Sequence, residues 1–158
     1  MTAEPGWPTS GLDDVRRLHI MAAALPGARV AERLLPAAPA EVWAVMGDLE
    51  GAFGRFQPDM RHLTVVRRDG ERVEALARSR YGMRARLHGV VRPGWCWLQS
   101  RFLVIGMATA PAPGGGTRVA LTGGVRVPGR AAIVPFGTRR ELDRAMDRLA
   151  EHVRGAAT

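Results

Sequence analysis

Hydrophobic and polar positions along the chain change period several times, and each change marks an element. Val15, Leu18, Ala22 and Leu25 recur at helical spacing, and Pro26-Gly27 stops that run. Ser10 suits the cap of a helix starting near Leu12, with Asp13 and Asp14 favoured in its first turn by the helix dipole. Residues 28–35 read as a first strand. Pro39 then fits the first position of a helix, Glu41 its first turn, and Val42, Trp43, Val45 and Met46 its apolar face, with Gly47 as the stop. Asp48 is placed to cap a second short helix that runs to about Phe53 or Phe56.

Beyond that point the period falls to two. Arg61 to Arg68 and Arg72 to Arg80 alternate around Asp69-Gly70, a strong hairpin signal. From Met83 to Val91 the apolar phase holds Met83, Ala85, Leu87, Gly89 and Val91, and the other phase Arg84, Arg86, His88 and Arg92. Pro93-Gly94 turns the chain into a strand over Trp95 to Gln99. Ile105 to Pro111 and Thr117 to Val127 follow, joined by Pro113-Gly114-Gly115-Gly116. After a connection through Pro135, Thr138-x-x-Glu141 is a capping box, and Leu142, Met146, Leu149 and Val153 form the stripe of a long helix that Gly155 ends.

These elements predict an α+β fold. A curved antiparallel sheet of about six or seven strands wraps a long C-terminal helix, two short helices follow the first strand, and an extra helix precedes it. Residues 1–27 read as an N-terminal arm and helix, and 28–155 as one domain. Its length suits a single domain with its own core. No apolar run is long enough to span a membrane. The one cysteine, Cys96, has no internal disulfide partner, which fits a reducing cytoplasm. A monomer or homodimer is expected.

The net charge of +8 invites a nucleic-acid reading. All 23 basic residues are arginine, however, and they occur in every element. That pattern reads as a compositional bias of the whole chain, and it argues against a nucleic-acid partner. His19, His62, His88 and His152 are dispersed, so no metal and no cofactor is expected. Asp143, Asp147 and Glu151 beside Arg139, Arg140, Arg144 and Arg148 read as a solvated helix face. Cys96, between two tryptophans, reads as a buried inert thiol.

The segment Leu35-Pro36-Ala37-Ala38-Pro39-Ala40-Glu41-Val42-Trp43, followed by Asp48-Leu49-Glu50, resembles the SRPBCC superfamily, the helix-grip fold of START domains, plant pollen-allergen proteins and polyketide cyclase/dehydrases. Gly114-Gly115-Gly116-Thr117-Arg118-Val119 adds weaker support. The resemblance spans about residues 28–154 and leaves the first helix unexplained. It implies a cavity between sheet and long helix for a lipid, polyketide, quinone or similar hydrophobic molecule. Some members of the superfamily are cyclases or aromatases, and many only bind or carry.

Phase and composition nominate Phe53, Phe56, Tyr81, Met83, Leu87, Trp97, Phe102, Met107, Leu121 and Met146 as the cavity lining. Ser79, Gln99 and Thr109 share the phase expected to face inward, and one of the adjacent pair Glu32 and Arg33 must do so. Tyr81 is either a hydrogen-bond or proton donor to a ligand, or a strand-end tyrosine with a wet hydroxyl. Arg101 is either the cation that polarises an enolate in a cyclase or a surface arginine. No catalytic set is recognisable. Binding or carriage of a hydrophobic molecule therefore ranks first, a cyclase/aromatase-like enzyme second, and an interaction module using the basic surface third.

Overall fold

The structure, a computed structural model, describes residues 12–52, 60–79, 82, 84–127, 129, 131–135 and 139–156. Eleven elements lie among them: α1 Asp14–Ala23, β1 Val30–Leu35, α2 Pro39–Met46, β2 Met60–Asp69, β3 Arg72–Ser79, β4 Arg84–Arg92, β5 Trp95–Gln99, β6 Leu103–Pro111, β7 Thr117–Arg126, β8 Ile133–Pro135 and α3 Arg139–Ala156. The strands form one antiparallel sheet in the order β1-β7-β6-β5-β4-β3-β2. β1 pairs with residues 117–122 of β7, and β8 with residues 124–126. The helix-grip arrangement expected from the sequence is present.

Tight turns set the hairpins. Asp69 pairs with Arg72, so the turn is Gly70-Glu71, one residue later than Asp69-Gly70, and Gly70 takes a φ of 59° there. Pro93-Gly94 joins β4 to β5, and Gly94 takes a φ of 83°, the positive value that the third place of a type II turn requires.

The helices begin and end where local chemistry allows. α2 starts at Pro39, and the Glu41 carboxylate reaches back to accept from the Ala38 amide at 3.3 Å. Leu49 to Ala52 form a turn in which Asp48 Oδ1 accepts from the Gly51 amide at 3.1 Å; the remainder of the second short helix expected after Asp48 lies outside the described residues. α1 starts two residues later than expected, with Asp13 as its cap, whose carboxylate accepts from the Arg16 amide at 2.8 Å; Ser10 lies outside the described residues. α3 runs through Gly155 to Ala156, so that glycine does not end it. Thr138, the expected cap of α3, lies outside the described residues.

The sheet has a packed layer on each face. On the inner face Leu87, Cys96, Leu98, Ile105, Met107, Val119 and Leu121 meet Val42 and Met46 of α2 and Met146, Leu149 and Val153 of α3. On the outer face Val15 and Leu18 of α1 meet Trp95, Trp97, Val104, Ala108, Ala110 and Ala120. β8 was not expected; three residues are too few to show a period, and its pairing edge exists only because β1 ends short of Gly124.

Candidate functional site

Strand alternation decides what the inner face offers. Leu87 on β4, Met107 on β6, Leu121 on β7 and Met146 on α3 are all fully or almost fully buried, and they belong to one apolar cluster between the sheet and the long helix. Phe53, Phe56, Tyr81 and Met83 lie outside the described residues.

Trp97 and Phe102 do not join that cluster. In β5 it is Cys96 and Leu98 that point inward, so Trp95 and Trp97 point to the other face, where their rings stack 6.4 Å apart beneath α1. Gln99 shares their phase and is exposed; its side-chain oxygen accepts from Trp97 Nε1 at 3.4 Å. Phe102 sits in the bend between β5 and β6 and is 49 % exposed. Arg101 next to it is exposed, its guanidinium 5.8 Å from the Phe102 ring centre. The Ser79 side chain is not among those described.

The inner face is not uniform. Over β5–β7 and α3 its side chains are large: Leu98, Ile105, Met107, Leu121, Met146 and Leu149. Over β3 and β4 three alanines take their place. Ala75 lies opposite Leu87, and Ala77 lies opposite both Ala85 of β4 and Leu63 of β2. Ala75 and Ala77 are buried and Ala85 is half-buried against the same cluster. α3 approaches α2 and β1, at the far end of the sheet. These alanines do not stand out in the sequence, because an alanine carries little apolar weight in a hydrophobic period.

Ionisable groups keep to the rims. Arg33 of β1 points to the inner side and pairs with Asp147 of α3, its guanidinium also donating to the Asp143 carbonyl at 3.4 Å. The charged face of α3 is thus tied to the sheet at one point and is not wholly solvated. Glu32 points the other way, taking bonds from His19 at 2.7 Å and from Arg118 at 3.0 Å. Arg118 also donates to Asp13 at 2.9 Å, and Arg92 holds Asp14 through two bonds of 2.9 and 2.7 Å. Burial alone raises Asp13 and Glu32, but the Arg16 amide and Arg118 hold Asp13 below its ordinary value, and His19 and Arg118 do the same for Glu32. This network fastens α1 to β1, β4 and β7. Among the described residues the buried polar side chains are Thr109, Thr117 and Thr122. The last two donate to the carbonyls of Ala37 and Arg29. The Cys96 thiol is pushed up to about 12 by burial, so it stays protonated.

Two shallow grooves lie on the outer face. One, of about 300 Å³, is lined by His62, Thr64, Leu76, Ala77, Arg78 and Arg84. The other, of about 480 Å³, runs beside it over Arg67, Arg72, Glu74, His88 and Gln99. His88, expected in the outward phase, lies there with Nδ1 3.3 Å from the Glu74 carboxylate. Among the described residues no group of histidine, cysteine and carboxylate side chains is placed to hold a metal ion, and no helix is long and apolar enough to cross a membrane.

No protein-family model matches the chain, and no curated protein matches it. Solved structures do. TTHA0849 from Thermus thermophilus is similar over 83 % of this chain and 99 % of its own, with 23 % identity and a TM-score of 0.59. The KanY protein is similar over 82 % and 99 %, with 21 % identity and a TM-score of 0.62. DR_A0006 from Deinococcus radiodurans is similar over 81 % and 98 %, with 19 % identity and a TM-score of 0.57. The shared property is the fold.

Proposed function

We propose, starting from the helix-grip fold of the SRPBCC superfamily that this chain has, that it binds or carries a hydrophobic small molecule between the inner face of the sheet and the long helix. The observation that carries this reading is the alanine floor at Ala75, Ala77 and Ala85, on the same face that bears Ile105, Met107 and Leu121 elsewhere. Ala75 and Ala77 are buried, so a ring or acyl chain would enter by parting the neighbouring side chains, and the small residues and apolar surround favour a ligand of that kind. Met107 and Met146 at the large-residue end adapt to varied ligand shapes.

Binding without chemistry is the better supported form. The buried hydroxyls of Thr117 and Thr122 are committed to backbone carbonyls, and Cys96 is neutral. The cyclase alternative needs a polar group that stabilises developing charge. Arg101, its candidate cation, stands in solvent beside Phe102.

The test is solvent extraction and mass spectrometry of the protein purified from its own host, together with Nile red binding in vitro. Wild type should yield a hydrophobic molecule and bind the dye. Ala77→Leu and Ala85→Leu, which fill the floor, should each lower dye affinity about tenfold or more while the melting transition stays cooperative. Dye binding that ignores both substitutions would sink the reading.

A further inference from the structure

The outer face of β2, β3 and β4 carries a surplus of charge that the fold does not neutralise. Between residues 60 and 92 the chain has nine arginines and three carboxylates, six of the net +8; of these, Arg67, Arg72, Arg78, Arg84 and Arg86 lie on the outer face against Asp69 and Glu74, while Arg92 is paired with Asp14. The excess is therefore local, contrary to the expectation of a bias spread evenly along the chain. Beyond this stretch two arginines of the sheet are answered in place: Arg118 by Asp13 and Glu32, and Arg33 by Asp147. On this face Arg67, Arg72, Arg78, Arg84 and Arg86 are exposed, and Glu74 is shared between His88 at 3.3 Å and Arg86 at 4.0 Å.

The strand register sharpens the point. His62 lies directly opposite Arg78, and Arg78 directly opposite Arg84, so three strands put three basic residues in one row. Like charges opposed across a sheet repel. The guanidinium groups of Arg78 and Arg84 have no ion pair or hydrogen bond among the described residues. Next to the row Leu76 is 43 % exposed, on the floor of the 300 Å³ groove. No described helix packs here: α1 covers β6 and β7, and α2 and α3 lie on the inner side.

We propose that this face docks on an anionic phospholipid surface, with the His62–Arg78–Arg84 row against lipid phosphates and Leu76 at the level of the headgroups. Charge complementarity selects an anionic partner. A broad, open strand face with an exposed leucine among its arginines suits a lipid interface. A single-stranded nucleic acid would call for aromatic side chains to stack its bases, and the described part of this face has none. The proposal is independent of the ligand reading, since it concerns the opposite side of the sheet.

Vesicle flotation of the full chain tests it, using phosphatidylcholine vesicles with and without phosphatidylglycerol. Wild type should float with the anionic vesicles only, and high salt should release it. Arg78→Gln/Arg84→Gln should bind about 30-fold more weakly, from the usual worth of two surface arginines near anionic lipid. Arg144→Gln/Arg148→Gln, which removes the same charge from exposed positions on α3, should stay close to wild type. Leu76→Gln should weaken flotation with no change in charge. Failure of wild type to float, equal loss in both arginine pairs, or a preference for duplex DNA over vesicles at equal phosphate would overturn it.

Discussion

Two ends of the same sheet are finished in different ways. At β5, β6 and β7 both faces are covered. The outer face lies under Val15 and Leu18 of α1, and the inner face is filled by Ile105, Met107 and Leu121 against Met146 and Leu149. Arg118 of β7 meets carboxylates there, those of Asp13 and Glu32. At β3 and β4 the inner face includes three alanines among larger residues, and the outer face shows Arg78, Arg84 and Leu76 to solvent. The difference separates two tasks. Large buried side chains and answered charges stabilise the fold. Small side chains and unanswered charges are poor stabilisers, so their concentration at one end marks where something other than this chain is expected to complete the surface.

That division is open to direct attack. The largest effect should come from Leu149→Ala, which opens a cavity under α3 and should cost about 2–5 kcal/mol in urea unfolding. Leu76→Ala, on the open outer face, should change stability by no more than about 0.5 kcal/mol. Comparable losses in the two variants would erase the distinction between the ends. A middle-sized effect is expected at the seat of α1. A Cβ at Gly106 would lie 2.7 Å from Thr122 Cγ2, 2.8 Å from Leu18 Cδ1 and 2.9 Å from Trp97 Cε3. Gly106→Val should therefore cost about 1–3 kcal/mol by overpacking. The loss should appear as faster amide hydrogen exchange over Asp14–Ala23 with α3 still protected. Equal deprotection of both helices would show that α1 is not a separable cover.

Much of this arrangement was legible in the sequence. Alternation in β4, with Leu87 in and His88 out, is as read. Helical spacing found the buried stripes of α1 and α3, and the Pro39 turn found α2. The failures share a physical cause. Trp95-Cys96-Trp97-Leu98 is buried at every position, so it has no polar phase to say which residues face which layer. Trp97 was assigned to the wrong side because α1, not α3, is its cover. A strand buried on both faces calls for a second layer, and the stripe of α1 was the available candidate. Arg33 meeting Asp147 is a contact across 114 positions that no local spacing encodes. The arginine surplus was present as a count but was taken over the whole chain, whereas the strand register that stacks Arg78 on Arg84 exists only in the folded sheet.

The smallest effect separates the two ends most cleanly, because its sign is unusual. Most substitutions destabilise. Arg78→Gln removes one of two like charges directly opposed across β3 and β4, and neither loses a partner among the described residues. It should raise stability by roughly 0.3 kcal/mol at low salt, and the gain should shrink as salt screens the repulsion. The matching change at the covered end, Arg118→Gln, should lower stability, since Glu32 and Asp13 would each lose an ion pair. Opposite signs measured in parallel urea titrations at two salt concentrations would confirm that charge at one end serves the fold and at the other does not. A loss in both would mean that Arg78 is already answered within the protein. A gain in stability at Arg78 joined to a loss of vesicle flotation would be the signature of a residue retained for contact with a partner at the expense of the fold.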